Sequence, residues 1–387
     1  MLEGIADLPL HDGRVPPWIA NIMKRLAKAI IEIIVDEYGP DTVLEKLSNP
    51  LWFQAFNNVI GMDWDSSGST TVTTGVLKEI TWKNKELGFL VLGGKGEKAR
   101  RVPTELVEAT KILGLSPDYA SKLEEASRLV AKIDSAMLQD KYTLYHHTLI
   151  VSSTGKWIVI QQGMNVLKKM ARRYHWVDNT RFFEEPHKGI ACNRVEENVI
   201  NLVARESRDT RKTILDLVND NVSYIVNDYT TIYNAAKKQK TLFDLLGKEQ
   251  PIDKDSLKRI SIYKPLIHPN SLRKKLELIK RTCVQELKEL LLIRGVGADT
   301  IRALVLISDL IFNTPPSTKD PVTHPIEPAV YAYAIGGKDG VPYPINRRHA
   351  EEVITTLEHF IWKSKLDSKY KYKALRNIAR LARKYLM

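Results

Sequence analysis

Several polar side chains in the first half of this 387-residue chain are of the types that hold metal ions. Asp63 and Asp65 lie in the glycine- and hydroxyl-rich segment GMDWDSSGSTT, and Asp134 lies in the string RLVAKIDSAMLQD. Carboxylate oxygens are preferred ligands of Mg²⁺ and Mn²⁺, and a glycine-rich hydroxyl segment can also cradle a phosphate. Asp63 and Asp65 are equally typical of helix caps and turns. The sequence therefore indicates a Mg²⁺ or Mn²⁺ site at Asp63, Asp65 and Asp134, with capping as the alternative.

A second set of candidate catalytic residues surrounds a predicted β-hairpin. The segments 142–151 and 156–161 are rich in β-branched and aromatic residues and flank the turn Ser152–Gly155. Adjacent strand residues face opposite sides of a sheet, so only one of His146 and His147 can point into a given site. We predict that His147 is a general acid or base, accompanied by Asp134, Gln162 and Asn165. The spacing is similar to the histidine–strand–turn–strand–asparagine pattern of phospholipase D nucleases, although Leu149 stands where that family has a lysine.

The charge balance indicates a polyanionic partner. Lysine and arginine total 58 against 46 acidic residues, a net charge of +12. A basic chain of this kind associates readily with nucleic acid. One local cluster, Lys95, Arg100 and Arg101, could contact a phosphate backbone, with a solvated charge run as the alternative. A second cluster could stack an unpaired base between phosphate contacts, with half-buried core aromatics as the alternative. Its members are Arg172, Arg173, Tyr174 and Trp176.

The most specific motif lies near the C-terminal end, in LLIRGVGADTIRAL (291–304). Small residues at Gly295 and Gly297 around Val296 permit a tight turn and expose main-chain amides at the start of a second helix. Such amides can bind phosphate without reading sequence, and Arg294 and Arg302 add positive charge. The motif resembles the helix-hairpin-helix of DNA repair proteins; the alternative is a turn used only for packing.

One group of helix-hairpin-helix proteins, the DNA glycosylases, often has a lysine nucleophile just after the second glycine and an aspartate about twenty residues later. Asp299 occupies the lysine position here, so Schiff-base lyase chemistry is not supported. Asp320 lies at the spacing of the aspartate, although an aspartate before proline is also typical of a turn. A glycosylase is therefore a further alternative.

The order of the predicted elements indicates an α+β protein with two parts. Helices are predicted over residues 18–38, 41–47 and 103–131. Residues 61–96 are rich in Thr, Ser, Val and Gly, a composition typical of strands or buried turns. Residues 1–185 are expected to form a mixed α+β module that contains the hairpin and the catalytic groups. Residues 186–387 are expected to form a mainly helical nucleic-acid-binding domain, with the helix-hairpin-helix at about 285–312.

Other features narrow the class of protein. Two distant cysteines exclude a disulfide framework, and the chain lacks a P-loop or Rossmann signature, so no nucleotide cofactor is expected. Neither a signal peptide nor a membrane-spanning run is evident, which predicts a cytoplasmic, nucleoid-associated protein without a membrane partner. The residue usage resembles that of hyperthermophile proteins.

Distinctive strings occur along most of the chain. They are GIADLPLH, PLWFQAF, GMDWDSSG, LGGKG, RLVAKIDSAMLQD, LYHHTLIV, VIQQGMN, ARRYHW, EEPH, the GVG turn and GGKDGVPYP. Together these strings resemble an archaeal and bacterial family, domain-of-unknown-function family 763. The resemblance runs from residue 4 to about residue 344. It implies a C-terminal helix-hairpin-helix and, by association, a role in DNA metabolism, but it supplies no reaction and no catalytic residue.

These observations lead to one main hypothesis and one principal alternative. We expect a metal-dependent nuclease or related DNA repair enzyme that acts on DNA, including single-stranded or damaged DNA, and holds the phosphate backbone through the turn at Gly295. The alternative is a non-enzymatic subunit that binds DNA or RNA.

Overall fold

The structure, a computed structural model, describes residues 17–61, 68–178, 180–192, 195–237, 259–323 and 347–385. Its centre is a five-stranded antiparallel sheet with the strand order β1-β3-β4-β5-β6. A separate pair of short strands, β2 and β7, lies beside it. The strands are β1 (Phe89–Lys95), β2 (Leu138–Gln139), β3 (Thr143–Ser152), β4 (Trp157–Asn165), β5 (Met170–Val177), β6 (Gly189–Ala191) and β7 (Ile200–Asn201).

Helices account for most of the remaining described residues. The first six are α1 (Pro17–Tyr38), α2 (Pro40–Ser48), α3 (Pro50–Ile60), α4 (Gly68–Lys83), α5 (Val102–Leu113) and α6 (Pro117–Lys132). A π-helical turn, Ile133–Met137, continues directly from α6. The later helices are α7 (Arg208–Asn219), α8 (Val222–Ala236), α9 (Pro269–Lys280), α10 (Leu287–Leu292), α11 (Ala298–Leu310), α12 (Arg347–Lys363) and α13 (Ser368–Tyr385).

The sheet lies between two helical layers because its strands alternate apolar side chains between both faces. On one face, Ile150 and Ile158 join a core formed with α1 to α4, and Phe360 of α12 joins the same core. On the other face, Leu149 and Val159 join a larger core that extends through α5 and α6 to the helices α7 to α11. The chain therefore has a three-layer arrangement in which both faces of the sheet are buried.

Most predicted elements are confirmed. The first two helices, the helical segment after residue 102 and the β3–β4 hairpin occur where the sequence predicts them. The strand or buried-turn prediction is right for β1 but wrong for TVTTGVL, which lies within α4. In this helix Thr74 Oγ1 donates to the Thr70 carbonyl at 2.8 Å, so a buried hydroxyl is satisfied within the helix, and burial overrides the β preference of threonine.

The sheet also continues beyond the expected end of the α+β module. Strand β6, after residue 185, pairs with β5 in the main sheet, with Tyr174 opposite Ile190. The larger core includes residues of the sheet and of α7 to α11 together. Strands are therefore not confined to residues 1–185. Among the described helices, none has the length and apolar composition needed to cross a bilayer.

Candidate functional site

Polar side chains occupy one end of the sheet, on both of its faces. The register pairs His146 with Gln162 and Gln162 with Arg173 on neighbouring strands, while His147 pairs with Gln161. Cross-strand partners lie on the same face, and consecutive residues lie on opposite faces. His147 and Gln161 thus face α6, whereas His146, Gln162 and Arg173 face α3 and α4.

A buried chain of hydrogen bonds begins at α6 and crosses the strands. Ser127 Oγ lies 2.7 Å from His147 Nε2. On the other side of the ring, His147 Nδ1 lies 2.8 Å from Gln161 Oε1. Gln161 Nε2 in turn donates to Asp134 Oδ2 at 2.5 Å. We call this chain the relay, and its members are Ser127, His147, Gln161 and Asp134.

The far end of the relay fixes the direction of every hydrogen bond in it. Trp176 Nε1, which can only donate, donates to Asp134 Oδ2 at 2.8 Å, so this oxygen is an acceptor. Because Asp134 Oδ2 accepts, the Gln161 atom next to it must be the amide nitrogen, which donates. The amide oxygen of Gln161 then faces His147 and accepts from its Nδ1–H. With its proton on Nδ1, the neutral His147 ring presents a lone pair at Nε2 and accepts from the Ser127 hydroxyl. The relay therefore aligns a serine hydroxyl with a histidine base.

Burial supports the neutral state of His147 that this arrangement needs. Desolvation lowers the pKa of His147 below its usual value, although the Gln161 hydrogen bond and the Asp134 charge act in the opposite direction. A neutral imidazole is the form that can take a proton. His147 and Ser127 therefore have the geometry and the protonation state of a nucleophile and its base.

The relay opens into a pocket of about 790 Å³. Ser127, His147 and Gln161 form part of its wall, and Arg100 and Arg128 contribute two cations. Glu97 and Glu124 also line the pocket. The pocket thus combines a serine–histidine pair with two guanidinium groups that suit an anionic substrate.

Asp134 supports the relay and has no free coordinating edge. It is fully buried on the π-helical turn, and its Oδ1 accepts from His187 Nε2 at 2.5 Å. Its Oδ2 accepts from Gln161 and Trp176. The other two predicted metal ligands, Asp63 and Asp65, lie outside the described residues. Within the described ranges, no group of three or more acidic, histidine or cysteine side chains could hold a metal ion.

Two of the predicted catalytic residues lie apart from the relay. Gln162 is buried on the opposite face of the sheet because it is adjacent to Gln161 in β4. Asn165 lies at the end of β4, where its side chain accepts from the Lys168 amide at 3.1 Å. The prediction of one site containing His147, Gln162 and Asn165 is therefore corrected: of the predicted catalytic residues, only Asp134 and His147 belong to the relay.

Three residues of this site, Ser127, Gln161 and His187, are not among the predicted site residues. The cross-strand pairing of Gln161 with His147 follows from hairpin register, so the adjacent pair Gln161-Gln162 carried a usable signal. Ser127 lies on a separate helix, and its contact with β3 depends on how α6 packs on the sheet. The sequence offers no local signal for that contact.

The expected stacking cluster after β4 is also corrected. Arg172, Arg173, Tyr174 and Trp176 are all buried, with exposed fractions of 0 to 2%. Arg172 donates to both oxygens of Asp320 at 2.8 and 2.7 Å and to Asp140 at 2.8 Å. Alternation in a strand covered on both faces places these side chains in the interior, where no nucleic-acid base can reach them. Asp320, the residue at the glycosylase aspartate spacing, is an internal partner of Arg172.

The other predicted basic residues lie at the surface. Lys95, Arg100 and Arg101 are exposed next to the pocket, and Arg294 is exposed on the turn between α10 and α11. In this turn Gly295 has a φ of +97°, which favours glycine, and Val296 is buried. Gly297 precedes the first residue of α11, and a Cβ placed on it would meet no atom within 4 Å. The space beside Gly297, which precedes the first residue of α11, is therefore open.

Direct contacts connect this turn to the end of α6 that carries the relay serine. Lys132 Nζ donates to the Val296 carbonyl oxygen. Gln139 Nε2 donates to the Ala298 carbonyl at 3.0 Å, and Arg302 Nε donates to Gln139 Oε1 at 2.7 Å. Arg302 is thereby committed to an internal contact, and the turn is held beside the continuation of α6.

A comparison with protein-family models decides the family. The model described as "Protein of unknown function (DUF763)" matches residues 4–345. The chain belongs to this family. The match to the DUF763 family covers the relay, the pocket and the turn between α10 and α11. Comparisons with curated proteins and with solved structures gave no significant match.

Proposed function

We propose that this DUF763 protein is a nucleic-acid hydrolase that cleaves a phosphodiester in the pocket of Ser127 and His147. The observation that carries the proposal is the relay itself, with Ser127 Oγ 2.7 Å from His147 Nε2 in a pocket lined by two arginines. A serine paired with an oriented neutral histidine is the arrangement that activates a hydroxyl nucleophile. The role in DNA repair suggested by the sequence remains part of this proposal.

The residues of the pocket can divide the reaction into two steps. In the first, Ser127 Oγ attacks phosphorus, its proton moves to His147 Nε2, and the bond from phosphorus to the leaving sugar oxygen breaks while that oxygen takes the proton. In the second, water attacks the phosphoseryl group, His147 takes a proton from water, and the Ser127 oxygen leaves and recovers a proton. Arg100 and Arg128 would stabilise the charge on the phosphoryl oxygens.

The basic surface around the pocket is the reason for proposing a nucleic acid as the substrate. Arg128 and Lys132 are one helical turn apart on α6. Burial lowers the pKa of Lys132, and the nearby charges of Arg128 and Lys275 lower it further. Lys132 in turn contacts the turn at Val296. This arrangement supports a basic path from the pocket to the amides at Gly297, where a phosphate backbone could bind.

The direct test is cleavage of labelled oligonucleotides. Purified protein is incubated with single-stranded, double-stranded, nicked, uracil-containing and inosine-containing DNA and with single-stranded RNA, each with and without Mg²⁺ or Mn²⁺. We expect cleavage of at least one substrate by the wild type, and a loss of about 10³-fold or more in Ser127→Ala. The matched control is Ser135→Ala, which alters an exposed serine whose hydroxyl donates, among the described residues, to the Lys132 carbonyl.

Two results would contradict the hydrolase. One is equal cleavage by the wild type and Ser127→Ala. The other is an absence of cleavage on every substrate although the protein binds nucleic acid. The comparison of reactions with and without Mg²⁺ or Mn²⁺ tests separately whether cleavage needs a metal ion, as the predicted ligands Asp63 and Asp65 would imply.

A non-enzymatic nucleic-acid-binding protein is the second candidate. It is favoured by one specific observation, which is that Asp134 is fully buried and that both of its oxygens accept from internal donors, as in a purely structural network. This candidate predicts salt-sensitive binding that Ser127→Ala leaves unchanged, together with no cleavage.

A further inference from the structure

The face of the sheet opposite the relay holds a buried guanidinium group whose hydrogen-bond acceptors, among the described residues, are all neutral. Arg173 is 2% exposed. It donates to neutral acceptors: His175 Nε2 at 2.9 Å, Gln54 Oε1 at 3.3 Å, Thr70 Oγ1 at 3.4 Å and the Pro50 carbonyl at 3.4 Å. It also lies over the Phe53 ring, 4.6 Å from its centroid. Within the described residues, no carboxylate pairs with it.

Such a group is costly to bury. Desolvation lowers the pKa of Arg173 to about 9, so the side chain is still charged at neutral pH. A charge that is buried without an opposite charge beside it destabilises a fold. A protein that retains the charge gains stability from any anion that reaches it.

Several other buried polar atoms on the helices around Arg173 have no hydrogen-bond partner among the described residues. Neither the oxygen nor the nitrogen of the Asn57 amide has a hydrogen-bond partner among the described residues, and the same holds for Asn58 Nδ2 and Thr73 Oγ1. Asn57 lies one helical turn after Gln54, and Thr73 lies one turn after Thr70, so both belong to the helix faces that touch Arg173. Native interiors rarely leave several such atoms together without a bound group.

The helix that borders this region adds to its preference for anions. Thr70, which contacts Arg173, lies in the first turn of the 16-residue helix α4. The amides at a helix N-terminus and the helix dipole both favour negative charge. A buried cation, amide and hydroxyl donors and a helix N-terminus therefore adjoin one another at α3, α4 and β5.

We propose that this region is a binding site for a phosphate-sized oxyanion, held by Arg173 and by the donors of Asn57 and Thr73. We call it the Arg173 site. The anion is inorganic phosphate or the phosphate group of a small ester, since both present the same tetrahedral oxygens to a guanidinium fork. The site is separate from the relay because the sheet lies between them.

The first experiment measures binding of inorganic phosphate to the full chain by titration calorimetry in chloride buffer at matched ionic strength. We expect one saturable site, and a higher Tm in phosphate than in chloride. Phosphate released from the denatured purified protein would identify an ion that was retained through purification. A parallel titration with a nucleoside monophosphate distinguishes a small ester from the free ion, because the natural ligand is the tighter of the two.

Two variants locate the site. Asn57→Leu removes both amide atoms without a large change in volume, and we expect at least a tenfold weaker affinity for phosphate. Arg173→Met removes the charge, and we expect no phosphate binding, together with a Tm in phosphate-free buffer equal to or above that of the wild type. Asn227→Leu and Arg281→Met change exposed residues of the same types and serve as the controls.

The proposal is overturned if phosphate gives neither saturable heat nor a Tm increase over chloride, or if Asn57→Leu binds phosphate as the wild type does. Asn57→Leu keeps the test decisive even if Arg173→Met does not fold. None of these readouts involves cleavage of nucleic acid, so a failure here is distinct from a failure of the proposed hydrolase.

Discussion

Arg172 and Arg173 are neighbours in sequence, and they lie in opposite electrostatic surroundings on the two faces of one sheet. Arg172 forms ion pairs with the carboxylates of Asp140 and Asp320. Its guanidinium carbon also lies over the Tyr142 ring, 4.4 Å from the ring centroid. Arg173 meets neutral acceptors and Phe53. Burial is nearly complete for both, so partner charge rather than depth distinguishes them.

The same contrast extends to the neighbouring histidines. On the Arg172 face, His147 is bonded at both ring nitrogens, in a chain whose direction is fixed by Asp134. On the Arg173 face, His146 accepts or donates at Nε2 only, to Thr74 and Thr148, and its Nδ1 has no partner among the described residues. A saturated network holds its groups in one geometry, whereas an unsaturated one has capacity for a ligand.

The largest expected effect is a difference in the free energy of unfolding between Arg172→Met and Arg173→Met. Arg172→Met leaves Asp140 and Asp320 buried without their cation, and we expect the free energy of unfolding to fall by about 3–5 kcal/mol. Arg173→Met in phosphate-free buffer leaves no such orphaned charge, and we expect no loss. Urea denaturation of both variants measures the difference. Similar losses in the two variants would remove the contrast between the two faces.

The next effect concerns activity on the relay face. His147→Ala removes the base that receives the Ser127 proton, and we expect cleavage to fall by about 10³-fold while oligonucleotide affinity is kept. Initial rates on the best substrate give this result, with His359→Ala as the control because His359 is an exposed histidine on α12. Retention of full activity in His147→Ala would exclude it as the base.

A smaller effect is expected at the turn between α10 and α11. Gly297 has an extended φ of −154° and open space around the position of a Cβ, so Gly297→Ala should fold normally. The added methyl group hinders a phosphate at the first amides of α11, and we expect about tenfold weaker nucleic-acid binding, or about 1.4 kcal/mol. Fluorescence anisotropy provides the measurement.

The control for this experiment is Gly75→Ala, where a Cβ also has open space, in α4 and remote from the turn. Substitution of Gly295 is a poorer test because its φ of +97° strains any other residue. Unchanged affinity in a folded Gly297→Ala protein would remove the turn from the binding surface.

The effect that is smallest at neutral pH is a dependence of stability on pH that comes from His146, and it grows as the pH falls. Burial lowers its pKa to about 3, with smaller contributions from the charges of His147 and Lys95. Because the unfolded chain binds this proton at a higher pH than the folded chain does, stability is lost as pH falls from about 6.5 toward 3, by at most about 1.4 kcal/mol per pH unit. His146→Phe should flatten this slope in urea titrations, and an unchanged slope in this variant would contradict the prediction.

The sequence predicts a good part of the fold because its local signals are strong. The apolar spacing between the prolines and glycines that flank α1, and the β-branched strands around Ser152–Gly155, are sufficient by themselves. The error at TVTTGVL arises because the β preference of threonine is outweighed by tertiary burial in α4. Such burial depends on packing that a single sequence does not reveal.

The candidate site is less accessible to sequence reasoning. His147 and Asp134 have residue types that indicate chemistry, and both belong to the relay. Ser127 and Gln161 are ordinary residues until α6 packs on the sheet and the hairpin register sets their partners. The polar residue types from Arg172 to Trp176 favour exposure over the core alternative, yet the cluster is interior. Ion pairs satisfy Arg172 there, and a hydrogen bond to Asp134 satisfies Trp176.

The most direct test of the relay is the protonation state of His147, read from imidazole ¹⁵N chemical shifts of the uniformly labelled protein at neutral pH. The His147 signals are assigned by their disappearance in His147→Ala. We predict a neutral ring with its proton on Nδ1 and an unprotonated Nε2 that accepts from Ser127. A ring protonated on Nε2 alone, or an imidazolium, would contradict it, because Ser127 would then have no base.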